Sequence, residues 1–153
     1  MLPDPLHPAI VHMPLALSVL LPFAVIFAIW AIRGSATRPV WAVVVALTAI
    51  LAISARVAVL TGQDQEERVE DVVPHDPFEE HEEAGEQFFL ITTAVLVLAA
   101  GGLMGGKVGD TARPLMVLGS VIVLIAALRV GKMGGELVYE HGAASAYTEV
   151  SGG

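Results

Sequence analysis

The sequence predicts an all-α integral membrane protein, a four-helix bundle with both chain ends on the outer side of the membrane. Three observations carry this. The 153 residues are 55% hydrophobic and only 16% charged, against about 25% charged in soluble domains, and the mean hydropathy is +0.71. The apolar residues gather into four runs near the roughly 20 residues that cross a bilayer as a helix. Basic and acidic residues are segregated between the connections. Residues 1–153 are read as a single membrane domain.

The first span is expected at about 9–32, where His12 is the one ionisable residue. Met1-Leu2-Pro3-Asp4-Pro5 has no basic segment and the apolar run after it is long, so this helix is expected to be retained. The second span, about 40–60, is broken only by Arg56. The third, about 86–104, needs its polar start to reach full length. The fourth, about 114–139, opens at Pro114 and continues through Arg129 towards Tyr139. Gly101, Gly102, Gly105 and Gly106 close the third span. They suit a turn or helix end better than a small-residue packing stripe.

Orientation follows from the connections. Arg33 and Arg38 lie between spans one and two, and Lys107 and Arg113 between three and four. Basic short loops face the cytoplasm. The acidic loop, about 61–85, lies on the other side. From Thr61 to Gln87 there are eleven acids and one basic residue, Arg68. In a bacterial inner membrane that side is the periplasm. The acids read as a solvated face. They lack the alternating ligands and central glycine of a calcium loop, and Phe78 stands where a di-iron Glu-x-x-His motif at His81 needs glutamate.

Composition excludes several functions. The net charge of −8 argues against nucleic-acid binding. The chain has no cysteine, which removes disulfides, thiolate metal sites, iron–sulfur clusters and covalently attached haem. No phosphate-binding loop or nucleophile elbow is present. The inner halves of the spans are read as almost free of polar residues, with Thr92, Thr93 and Ser120 the main exceptions in the third and fourth, too few for a transporter or channel path.

All five histidines fall towards the outer side. Three chain segments supply them, and the bundle brings those segments to one rim, where imidazoles can hold a metal or haem iron. His7 precedes Pro8 and also suits a helix entry. His12 stands near Pro14, which frees a carbonyl that His12 could satisfy. His81 is followed one turn later by Gly85, which admits a flat macrocycle or a close helix. His141 ends the fourth span. His75, between Pro74 and Pro77, reads as a surface residue. Arg56 and Arg129 sit near the outer ends of their spans. Carboxylates or lipid headgroups are their plain partners, and haem propionates are the functional alternative.

The run from Leu6 to Leu17, Leu6-His7-Pro8-Ala9-Ile10-Val11-His12-Met13-Pro14-Leu15-Ala16-Leu17, resembles the opening motif of the bacterial four-helix membrane family known as domain of unknown function 2231. That motif reads His-Pro-x-x-Val-His-Phe-Pro-Ile/Leu-Ala-Leu, and Met13 is the departure. A histidine entering the third helix, matched by His81, and the ending Gly134 to Gly142 extend the resemblance over most of the chain. Members look redox-associated. The resemblance implies His7, His12, His81 and His141 as the ligand set and leaves the cofactor open.

The leading expectation is a b-type haem protein that transfers electrons, alone or as the haem subunit of a respiratory or photosynthetic complex. His12, His81 and His141 are the expected axial ligands, with His7 next, and Arg56 and Arg129 would compensate propionates. One alternative is an outer-side copper or zinc module on the same histidines. Another is a cofactor-free accessory subunit of a larger membrane complex. Catalysis by the chain itself is disfavoured. The expected surroundings are the lipid bilayer, other subunits, or a soluble periplasmic redox protein drawn to the acids.

Overall fold

The computed structural model describes residues 5–33 and 37–147. Residues 1–4 and 148–153, the chain ends assigned above to the outer side, lie outside the described residues. The described residues form six α-helices: α1 (His7–Ile10), α2 (His12–Ala31), α3 (Thr37–Gln63), α4 (Glu66–Glu70), α5 (His75–Gly101) and α6 (Gly106–Tyr139). A 3-10 turn, Ala143–Tyr147, follows. Four stretches are long and apolar enough to cross a membrane: His7–Ala31, Arg38–Gln63, His75–Gly101 and Gly106–Tyr139.

These four pack as a closed ring. Helix α2 lies against α3 and α6, and α5 lies against the same two. Consecutive long helices are therefore neighbours, as short connections favour. Proline shapes the first span: Pro14 has no N–H to return to the Ile10 carbonyl, and the helix breaks at Val11 between α1 and α2.

The core is narrow. Leu21 and Val25 of α2, Trp41 and Leu51 of α3, and Met116 and Val123 of α6 are almost wholly buried. Large apolar side chains crowd the outside instead. Phe23, Phe27 and Trp30 of α2, Ile53 of α3, Val97 of α5 and Ile125 of α6 are all more than half exposed. A surface this apolar suits lipid rather than water.

Each long helix buries one small hydroxyl completely, near its middle: Ser18, Thr48, Thr92 and Ser120. Each donates to a carbonyl of its own helix, at 2.7–2.8 Å. Ser18 and Thr48 thus belong to the same buried layer as Thr92 and Ser120. The layer lets helices approach without leaving an unpaired polar group.

The two ends of the bundle are built differently. At the short-loop end the Trp41 indole Nε1–H donates to the Ala99 carbonyl at 2.9 Å. A Cβ at Gly102 would overlap that indole. Arg113 donates to the Gly102 carbonyl at 2.9 Å and the Met104 carbonyl at 3.0 Å, and pairs with Asp110 at 3.2 Å. It thereby satisfies carbonyls freed where α5 ends.

At the other end a second apolar cluster forms outside the ring, from Val69 of α4, Val73, Leu137 of α6 and Ala143, with Phe78 and Tyr147 packed on it. The Tyr147 hydroxyl donates to Gln65 Oε1 at 3.0 Å. The acidic segment is thus largely helical and anchored. Helix α3 runs on to Gln63, α4 follows, and α5 begins at His75, so little of 61–85 is loop.

Gly102→Val is expected to lower stability by about 1–3 kcal/mol, because the indole has nowhere to retreat. Unfolding in detergent, followed by Trp fluorescence, measures this.

Candidate functional site

The two-helix entry at the N-terminus delivers His7 to the start of α1, against the last turns of α3. Its Nδ1 is 2.9 Å from the Ala58 carbonyl and 3.4 Å from the Thr61 hydroxyl. A carbonyl only accepts, so Nδ1 carries the proton and Nε2 keeps its lone pair. Thr61 is itself committed to its own helix, donating to the Val57 and Ala58 carbonyls.

His81 reaches the same place from the second turn of α5. The two ring centroids lie 6.3 Å apart with planes crossed at 84°. The backbone carbonyl of Val130 on α6 is set toward the His81 ring. Its Nδ1 is buried and has no hydrogen-bond partner. Buried polar atoms are nearly always paired, so this nitrogen stands out. Both rings rest on glycine. A Cβ at Gly62 would come within 3.2 Å of the His7 ring, and one at Gly134 within 3.1 Å of the His81 ring.

The remaining sequence candidates sit elsewhere. His12 is exposed. Five residues along a helix turn the side chain by about 140°, so His12 cannot share a face with His7. His141 is half-buried and lines a separate cleft of about 280 Å³ with Glu80, Met133, Glu136 and Glu140. His75 is exposed, between Glu70 and Glu79, each at 3.6 Å. Arg56 is exposed and lies 5.5 Å over the Phe89 ring, eight residues and about 12 Å further along α5 than His81. Arg129 is exposed and lines a cleft of about 240 Å³ between α5 and α6. Neither guanidinium is directed to the histidine pair, because both occupy outward faces of their helices.

Of the six candidates, then, His7 and His81 come together. Among the described residues no group of three or more His, Asp or Glu side chains is set to hold one metal ion. Gly85, the expected partner of His81, instead faces Val59 of α3 at 3.8 Å. The glycines that seat the rings are Gly62 and Gly134. The visible signal for them was a glycine within helical reach of each histidine's neighbour helix, which needs the pairing of helices to interpret.

Replacing Gly134 by Ala should destabilise the protein by roughly 1 kcal/mol, by crowding His81. In an His81→Ala background the same change should cost much less. A double-mutant cycle on detergent unfolding reads that coupling.

The DUF2231 family model, described as a predicted membrane protein, matches residues 3–146. No curated protein and no solved structure matches the chain. The match covers nearly the whole sequence, including both histidine-bearing helix starts and the glycines beneath them, and the chain belongs to this family of predicted membrane proteins.

Proposed function

We propose that this protein is a b-type haem protein of the bacterial inner membrane that transfers electrons, with His7 and His81 as the two iron ligands. The observation that carries the reading is the pair itself: two imidazoles from different helices, 6.3 Å apart. Metal–imidazole bonds of about 2.0–2.1 Å, extended by the ring radii, put the centroids of two opposed imidazoles roughly 6 Å apart. The number of donors supports haem over a bare ion. Zinc sites take three or four protein ligands, whereas a haem iron needs axial ligands alone from the protein.

The chain's own residues fit such a group. The Ala58 carbonyl fixes the His7 tautomer, the usual support for a ligating imidazole. The unpartnered Nδ1 of His81 is a free donor atom in a buried place. Gly62 and Gly134 let both rings approach their neighbouring helices closely, where a Cβ would come within 3.2 and 3.1 Å of them. When bound, haem supplies reversible one-electron storage, and the protein adjusts it through ligand identity and burial. The pair needs no acid, base or nucleophile beside it. Redox exchange would occur at the histidine end, and the acids around it suit a basic soluble redox protein met through complementary charge. The arginine-bearing short loops support that end being periplasmic.

The test is a dithionite-reduced minus oxidised spectrum of protein purified after expression with ample haem, with metal analysis on the same sample. Soret and α bands at near-stoichiometric iron are expected. His7→Ala and His81→Ala should each abolish or shift them, while His12→Ala, His75→Ala and His141→Ala keep them. Copper or zinc without those bands would move the site to a metal module. A flat, metal-free spectrum would overturn both and leave an accessory subunit.

A further inference from the structure

The α5–α6 groove carries three chemistries in one line. Its part farther from the histidine end is apolar, lined by Phe88 and Ile91 of α5 and by Ile122 and Ile125 of α6. One turn nearer the histidine end than Ile91 and Ile125 stand Gln87 and Arg129. Further along the same two helices toward that end lies the second cleft, with Glu80, Glu136, Glu140 and His141. On both helices the lining positions recur at three- and four-residue steps, so the two clefts are successive parts of one face. Their volumes are about 240 and 280 Å³.

The charges in this groove are not used up by the protein. Arg113 is committed to two carbonyls and Asp110, and Arg56 to Phe89. Arg129 has no hydrogen bond or ion pair among the described residues. Of the acids, Glu136 pairs with Lys132 at 3.1 Å, while Glu80 and Glu140 are exposed and have no described partner. Glu82 and Glu86 face the other way, each accepting from Gln63 of α3.

We infer that this groove seats one phospholipid with a primary ammonium headgroup, from the leaflet at the histidine end. The order from membrane centre outward is apolar, cationic, anionic. An aminophospholipid presents acyl chain, phosphate and ammonium in the same order. The guanidinium of Arg129 forks onto the phosphate, extending from its helix toward the interface. Gln87 supplies a further donor. Glu80 and Glu140 accept from the ammonium. An anionic lipid would satisfy Arg129 but meet the carboxylates with nothing to give them. This assignment does not depend on what the histidine pair holds.

Native mass spectrometry of the detergent-solubilised full chain, offered equal amounts of phosphatidylethanolamine, phosphatidylcholine and phosphatidylglycerol, tests it. One phosphatidylethanolamine should be retained in clear preference to the other two. Arg129→Gln should weaken its binding roughly tenfold, the value of one charge-assisted contact. The double change Glu80→Gln with Glu140→Gln should erase the preference over phosphatidylcholine, and Arg56→Gln should alter neither. Equal retention of all three lipids, or a preference for phosphatidylglycerol, overturns the inference. The lipid competition on the unaltered protein decides this even where a variant fails to fold.

Discussion

Helices immersed in hydrocarbon gain little from the hydrophobic effect by touching one another, because lipid tails are as apolar as leucine. This bundle is therefore held by closeness: small side chains that admit a neighbour and polar groups satisfied at short range. The join of α3 to α5 shows the logic. The largest buried side chain, Trp41, lies where Gly102 offers no side chain, and its one polar atom finds the Ala99 carbonyl. The buried hydroxyls at mid-helix follow the same rule. Each is small enough to bury and returns its hydrogen to its own backbone. Arg113 then ties the loop after α5 to the first turns of α6.

The histidine end repeats this construction with different atoms. Glycine again makes room for a ring, at Gly62 for His7 and at Gly134 for His81. For His7 a backbone carbonyl again takes the ring hydrogen. The His81 ring likewise has the Val130 carbonyl set toward it, and the difference is that its Nδ1 is buried and finds no partner. A structural ring at this position would be expected to end as Trp41 does, with its polar atom paired. A buried ring nitrogen without a partner, in an imidazole whose centroid lies 6.3 Å from that of a second imidazole on another helix, is the feature that sets this place apart from the rest of the packing.

Much of this was legible in the residues. Four apolar runs fixed the helix number, and segregation of acids and bases separated the two ends. The histidine rim followed from those two facts alone. Which histidines meet did not, because it depends on rotation about the helix axis. His7 and His12 are five residues apart and straddle the break at Val11, so proximity in sequence sends them to different faces. The helices also reach further than hydropathy shows. The first three turns of α5 carry Glu79, Glu80, Glu82, Glu83 and Glu86, which lower the mean hydropathy without lowering helix propensity. The cap packed on Leu137 was hidden because Val69, Val73 and Phe78 are sparse apolar residues in an acid-rich stretch, and their partners lie some sixty residues away.

The arginines show how depth and direction separate roles that sequence position confounds. Arg56 and Arg129 both stand near the histidine ends of their helices, which invites pairing them with whatever the histidines hold. Yet both face outward and lie nearer the membrane centre than the rings. A cation on the lipid-facing surface below the interface is costly unless it extends toward charge. Arg56 reduces that cost on the face of Phe89. Arg129 opens instead onto a groove that is apolar below and acidic above. The bundle interior and its outer surface thus carry independent chemistry. The half-buried imidazoles pack on Gly62 and Gly134 of neighbouring helices, and the guanidiniums are exposed, where the lipid itself is the nearest source of phosphate.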